Sequence, residues 1–288
     1  MEISNTDKLI GIDLGGTKIN AGRIENGQIV EKSFAFIPAE SENEWDVINV
    51  IIKTIKDLKP EGINGIGIGI PSIVDREKGI VYDVTNIKSW KKVYLKDILE
   101  KEFNVPVYLD NDANCFALGE FRFGGAKGCN NLVGLTIGTG MGGGIISNGY
   151  LLKDANGGAG EFGLISYRDA NYETFCSGQF FRDNYNSTGE EMAERAEGGD
   201  IDAIIAFTEL GKHIGNAIKM IKYAVDPDKI IIGGSVAKSK KLFEQSMYEC
   251  IKSFEFPSAL IDFEILFSNI PDIAILGAAS LYYDQHKG

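Results

Sequence analysis

A glycine-rich hairpin pattern is written twice in this 288-residue chain, and no other feature restricts its fold as tightly. The first copy reads Leu9-Ile-Gly-Ile-Asp-Leu-Gly-Gly-Thr17 and the second Leu132-Val-Gly-Leu-Thr-Ile-Gly-Thr-Gly140. Gly11 falls over Gly134 and Gly15 over Gly138, an offset of 123 in both cases. Each copy continues into a short β-type run and an Asn-Gly turn, Asn26-Gly27 and Asn148-Gly149. The pattern predicts strand, glycine turn, strand and hairpin turn, repeated in two related units. Turns without Cβ atoms let backbone N–H groups converge on phosphate oxygens, so a pair of them suits a polyphosphate ligand. The chain therefore reads as one that handles a nucleotide.

The length and an apolar fraction of 44% suit one large or two medium globular domains with a full core. A net charge of −12 and a pI near 4.8 argue against a broad nucleic-acid footprint, which needs clustered Lys and Arg. Cys115, Cys129, Cys176 and Cys250 are scattered without a CxxC pair, and the histidines are His213 and His286 alone. No zinc cluster or disulfide framework is written in that set. Met1 to Lys8 is short and polar, and no apolar run approaches the roughly 18 residues of a membrane span. The expectation is a cytoplasmic protein with no membrane and no nucleic-acid partner.

Residues 8–36 read as three antiparallel strands, followed by a helix with Ser41 as N-cap and Trp45, Ile48, Ile52 and Ile55 on one face. Ile63 to Ile70 alternates Ile with Gly or Asn, leaving one face bare for a neighbour or a ligand. A helix near Leu95 to Phe103, a strand from Val105 to Leu109 and a helix from Ala113 to Phe121 follow. Two or more helices occupy 178–225. The strand Lys229 to Ile232 runs into Gly233-Gly234-Ser235, a helix spans about 238–253, and a strand covers 262–267. An amphipathic helix from Asp272 ends the chain. Alternation of this kind defines the α/β class.

Several residues in this frame carry chemistry. Asp13 beside Gly15-Gly16-Thr17-Lys18 can order Mg²⁺ through water while the turn contacts phosphate, although a single such turn is also an ordinary hairpin. Asp112, after a strand, can orient an alcohol and take its proton, or it can cap the next helix. Asn111 offers a donor and an acceptor to a sugar hydroxyl. Glu161, in a flexible glycine setting, and Glu173 can each accept paired hydroxyls or be solvated loop charges. Gly233 and Gly234 allow backbone approach to a flat ligand such as adenine, or make a simple strand-to-helix turn. Gly138-x-Gly140-x-x-Gly143 matches a dinucleotide fingerprint in spacing, but strand and hairpin follow it where that fingerprint needs a helix. No Walker A motif is present.

Taken together, these segments resemble the ROK family of bacterial sugar kinases and sugar-responsive repressors. The matching segments are Asp13-Leu-Gly-Gly-Thr-Lys18, Gly67-Ile-Gly-Ile-Pro71 with Val74-Asp75, and Asn111-Asp112-Ala113-Asn114 through Gly119-Glu120. Gly138-Thr-Gly140, Gly157-x-Ala-Gly-Glu161 and Ile232-Gly-Gly-Ser235 complete the set, in the expected order over nearly the whole chain. The resemblance implies two actin-like, ribonuclease H-like α/β domains around a nucleotide and sugar cleft, divided as 1–110 plus 272–288 and 111–271. It implies that Gly15, Gly16, Thr17, Lys18, Gly138, Thr139 and Gly140 hold the phosphates of ATP, with Mg²⁺ at Asp13 and the adenosine by Gly233 and Gly234. Asp112 would be the catalytic base, with Asn86, Asn111, Glu161 and Glu173 holding the sugar. A homodimer is a further family expectation.

The chain also departs from the family pattern. Ser72 and Ser89 replace family glycines, Ser89 in the Asn86 to Trp90 segment near the sugar pocket. Leu164 replaces a sugar-binding His, and a buried leucine there cannot donate a hydrogen bond. The family's cysteine-rich zinc segment is missing except for its tail, Glu173-Thr-Phe-Cys176-Ser-Gly178, so structural zinc is not expected. The leading expectation is an ATP-dependent hexose kinase acting at the 6-hydroxyl, with glucose first and fructose, mannose, allose and N-acetylmannosamine as alternatives. A repressor is disfavoured because the phosphate motif begins at residue 13, before any helix-turn-helix. A pseudokinase that binds sugar without turnover is the third reading.

Overall fold

The structure, a computed structural model, describes residues 7–155 and 157–285; His286 and the first six residues lie outside that range. The chain opens with β1 (Lys8–Leu14), β2 (Lys18–Glu25), β3 (Gln28–Phe36), α1 (Glu44–Asp57) and β4 (Gly65–Ile70). Short strands β5 (Val74–Asp75), β6 (Ile80–Tyr82) and β7 (Lys92–Val93) precede α2 (Leu95–Phe103), β8 (Val107–Asn111) and α3 (Asp112–Phe123). Next come β9 (Leu132–Ile137), β10 (Met141–Ser147), β11 (Tyr150–Leu151), β12 (Ser166–Tyr167), β13 (Ala170–Asn171), α4 (Tyr172–Cys176) and α5 (Gly178–Tyr185). The remainder is α6 (Gly189–Glu197), α7 (Ile201–Val225), β14 (Lys229–Gly233), α8 (Lys240–Ile251), β15 (Glu264–Phe267) and α9 (Ile273–Gln285).

These elements form two compact units, residues 1–127 with 150–159 and 270–288, and residues 128–149 with 160–269. The division differs from the one expected from sequence, because α3 and residues 150–159 also belong with the first unit. In that unit the strand order is β3-β2-β1-β4-β8. β1 pairs antiparallel with β2 and parallel with β4, which pairs parallel with β8. In the second unit β9 pairs antiparallel with β10 and parallel with β14, which pairs parallel with β15. The two ladders thus share order and sense, as the duplicated hairpin predicts. The hairpins close at matching positions, Leu14 opposite Ile19 and Ile137 opposite Met141, leaving four turn residues in the first and three in the second.

Burial explains the element types. β4 is buried along its whole length, as a parallel strand covered on both faces must be. Its glycine face admits a neighbour rather than a ligand, since a Cβ on Gly67 would lie 1.8 Å from the Ala278 carbonyl oxygen of α9. That helix is not the amphipathic element its sequence suggests. Ile273, Ile275 to Leu281 and Tyr283 are all buried, so α9 is a core helix of the first unit. Helix α1 is capped by Asn43, whose Oδ1 accepts from Trp45 N at 3.2 Å. Ser41, expected as the cap, instead donates to Asp46 Oδ2 at 2.6 Å. No helix among the described residues is long and apolar enough to cross a membrane.

Candidate active site

The first unit collects its polar candidates where parallel strands end. Asp13 stands opposite Gly69 and Gly69 opposite Asp110, so the two carboxylates occupy one row two strands apart, about 10 Å by the usual strand spacing. Ligands of open α/β sheets bind at this carboxyl edge. Asp13 is partly buried; desolvation raises its pKa, opposed by a hydrogen bond from Asn20 and the charge of Lys18. The turn after it is closed by Gly15 N donating to Lys18 O at 2.9 Å, with Thr17 and Lys18 exposed. Gly16 packs on Asn86, where a Cβ would lie 2.6 Å from the Asn86 Cβ. The structure thus brings Asn86 to the first glycine turn.

Asn111 and Asp112 begin α3 at the same edge. Asn111 is the N-cap: its Oδ1 accepts from Ala113 N at 2.9 Å, and its Nδ2 donates to Ser72 O at 3.3 Å. Asp112 shares that Ala113 N–H through Oδ1 at 2.8 Å. The cap role considered for Asp112 therefore falls mainly to its neighbour. Beneath them lies a network that the sequence did not single out. Buried Asp110 accepts from Asn114 Nδ2 at 2.8 Å and from Asn111 N at 2.7 Å, with Arg76 Nε 3.0 Å from its Oδ2. Burial pushes the Asp110 carboxyl up to about 6 despite the Arg76 cation. Arg76 is itself anchored by donating to Leu152 O at 3.0 Å. Adjacency of Asp110 to Asn111 was the one signal available; nothing in the sequence marks Arg76.

In the second unit the turn 138–140 is closed by Gly138 N donating to Gly140 O at 2.9 Å, and it exposes Thr139. Three segments support it. Gly178 N, at the start of α5, donates to Gly138 O at 2.8 Å. Met141 N donates to Glu173 Oε2 at 2.9 Å, and Glu173 Oε1 accepts from Gln179 Nε2 at 3.0 Å. The loop after β14 flanks the turn, with Gly234 at φ +88° and so close to Ile137 that a Cβ would lie 2.2 Å from its carbonyl oxygen. Only glycine meets both demands. The close backbone approach expected at Gly233 and Gly234 is thus made, at Gly234, to the protein itself.

Glu161 is exposed and has no side-chain hydrogen bond among the described residues. Desolvation and then the charge of Glu173 raise its pKa, so the two carboxylates share one neighbourhood. Its setting is packed rather than flexible: Gly160 abuts Gly143, and Gly163 abuts the Met141 carbonyl. One other expectation, a buried Leu164, is corrected. Leu164 is 61% exposed because it ends a one-turn 3-10 helix whose Phe162 and Gly163 point inward. Trp90, of the Asn86 segment, is fully buried in the core, its Nε1 donating to Glu44 O at 3.4 Å. Among the described residues no group of three or more His, Cys, Asp or Glu side chains could hold a metal.

Two α/β units with one strand order, each presenting a glycine hairpin turn, define the actin-like class of two-domain folds. Within that class the chain belongs to the ROK family, whose sequence profile matches residues 9–285. It is 31% identical to the glucokinase of Thermotoga maritima over 98% of this chain and 99% of that one. It is 30% identical to a xylose repressor of Caldicellulosiruptor bescii over 93% of this chain and 76% of that protein. Among solved structures, a ROK family glucokinase from Streptomyces griseus in complex with glucose and AMPPNP superposes with a TM-score of 0.79 at 27% identity. That match covers 95% of this chain and 98% of the other.

Proposed function

We propose that this protein is an ATP-dependent kinase that transfers the γ-phosphoryl group to the 6-hydroxyl of a hexose, with glucose as the first acceptor. The observation that carries the reading is the gathering of Asp13, at the end of β1, with Asn111 and Asp112, at the end of β8 and the start of α3, along one carboxyl edge of the sheet. The likeness to glucokinases, one of them solved with glucose and AMPPNP, supports it. Asp112 takes the proton of the sugar hydroxyl as its oxygen bonds to the γ-phosphorus, and the bond to the β-phosphate bridging oxygen breaks to release ADP. Asn86, Asn111, Glu161 and Glu173 hold the sugar. Backbone N–H groups of the turns 15–18 and 138–140 contact the phosphates, and Gly233 and Gly234 lie by the adenosine.

Asp13 fits Mg²⁺ as a partly buried carboxylate at a strand end beside the turn, a hard oxygen donor of the kind that holds this ion through water. The bound ion would neutralise charge on the transferring phosphoryl group. A cytoplasmic homodimer accompanies this reading as a family expectation. Other hexoses or amino sugars are the alternatives as acceptor, because Leu164 stands where the family has a sugar-binding His. A non-catalytic sugar-binding role is the second reading, favoured by the likeness to xylose repressors.

The test is a coupled ADP-release assay over a panel of hexoses and amino sugars with Mg²⁺ and ATP. Asp112→Ala is expected to lower turnover by roughly 10² or more, the usual worth of a positioned base, while AMPPNP affinity stays within about threefold. Turnover retained in that variant removes Asp112 from its role. Absence of ADP release with every sugar favours the non-catalytic reading.

A further inference from the structure

Glu173 is assigned above to the sugar, yet both of its oxygens are already engaged by the protein around the second glycine turn. Oε2 accepts the Met141 N–H that ends the turn at 2.9 Å, and Oε1 is fixed by Gln179 Nε2 at 3.0 Å. The carboxylate lies so close under the turn that a Cβ on Gly140 would sit 2.5 Å from Oε2. Gln179 follows Ser177, whose Oγ caps α5 by accepting from Gln179 N at 3.2 Å, and Gly178, whose N–H holds the Gly138 carbonyl. Asn171 fixes the start of α4 by accepting from Thr174 N at 2.9 Å. The carboxylate is therefore held at both ends before any ligand arrives.

We infer that Glu173 and Gln179 are positioning residues for the nucleotide: they set the shape of turn 138–141, so that nucleotide affinity depends on a carboxylate that also contacts the sugar. The inference rests on the kinase reading above, and it adds a residue, Gln179, that neither the motifs nor the family resemblance assigns. A carboxylate oxygen has two acceptor directions, so each oxygen of Glu173 can hold its protein donor and still take a sugar hydroxyl. A sugar that engages Glu173 then restrains the turn that receives ATP. The two ligands are coupled through one side chain, and such coupling is reciprocal in binding free energy.

The test is calorimetric binding of AMPPNP with excess Mg²⁺ and no sugar, on the full chain and on variants whose melting curves show them folded. Glu173→Ala is expected to weaken AMPPNP roughly tenfold, the worth of one hydrogen bond to a charged acceptor. Glu173→Gln, whose amide oxygen still accepts the Met141 N–H, is expected to stay within about threefold. Gln179→Met falls between them and, in the kinase assay, raises the Michaelis constants for ATP and glucose together, since losing one contact loosens both ends. Unchanged AMPPNP affinity in Glu173→Ala, or a rise in the glucose constant alone in Gln179→Met, overturns the inference and leaves the kinase reading intact. A wild-type chain that does not bind AMPPNP overturns both.

Discussion

Ser89 stands where the resembled family has glycine, and its Oγ is buried without a hydrogen-bond partner among the described residues. An unmet hydroxyl of this kind costs about 1–3 kcal/mol, so Ser89→Ala is expected to raise stability by about 1 kcal/mol in urea denaturation. A loss of stability would show that the hydroxyl is satisfied in solution. Ser72, the other such departure, is used: its Oγ donates to the Tyr82 carbonyl and its own carbonyl accepts from Asn111. The strand-end positions of Asp13, Asn111 and Asp112 were legible at this scale because a carboxylate or amide after an apolar run marks where a buried strand stops, while capping of the next helix stayed open as their alternative use. Gln179 and Arg76 were not, since a long polar side chain on a helix or in a loop reads as solvated until its partner is known.

Among the elements, the segment from Leu164 to Cys176 is organised by an aromatic cluster. The rings of Tyr167 and Tyr172 stack at 4.3 Å, Phe175 lies edge-on to Tyr167 at 5.6 Å, and Arg168 lies 5.7 Å from the Tyr167 ring centre. His213 of α7 closes the group, its Nδ1 3.2 Å from Tyr167 Oη. Burial lowers the His213 pKa from 6.5 to about 4, and the cations Arg168 and Lys212 add to the effect. A depressed histidine contributes stability that is present above its unfolded pKa and is lost as pH falls from 6.5 towards 4. At 1.36 kcal/mol per unit the full effect is roughly 3 kcal/mol. Wild type should therefore lose about that much relative to His213→Gln between pH 7 and pH 4, measured by denaturation at each pH. A constant difference would show the ring is not buried neutral. Sequence reading detected the missing cysteines, but not this arrangement, because ring contacts between residues 167 and 213 depend on how α4 meets α7.

At the scale of the molecule, the first unit is assembled from distant parts of the chain. Helix α9, from the last stretch of sequence, covers strands made in the first 111 residues, and it approaches so closely that β4 must be bare at Gly67. A side chain there has no free volume and would meet helix backbone, which cannot rotate aside. Gly67→Val is expected to cost about 3 kcal/mol or more by overpacking, read as a fall in the denaturation midpoint. An unchanged midpoint would mean that α9 does not dock on β4 as described.

The sequence by itself determined the duplication, the α/β class, the two glycine turns and the strand-end carboxylates, because these follow from local periodicity and from residue types with few alternative uses. Tertiary structure decided which side chains meet: α9 as a core helix, Trp90 as core, Leu164 as surface, the Arg76–Asp110 pair, and the Glu173–Gln179 brace under the second turn. Those outcomes depend on packing between residues far apart in the chain, and the free energy of such a contact belongs to the pair rather than to either residue alone.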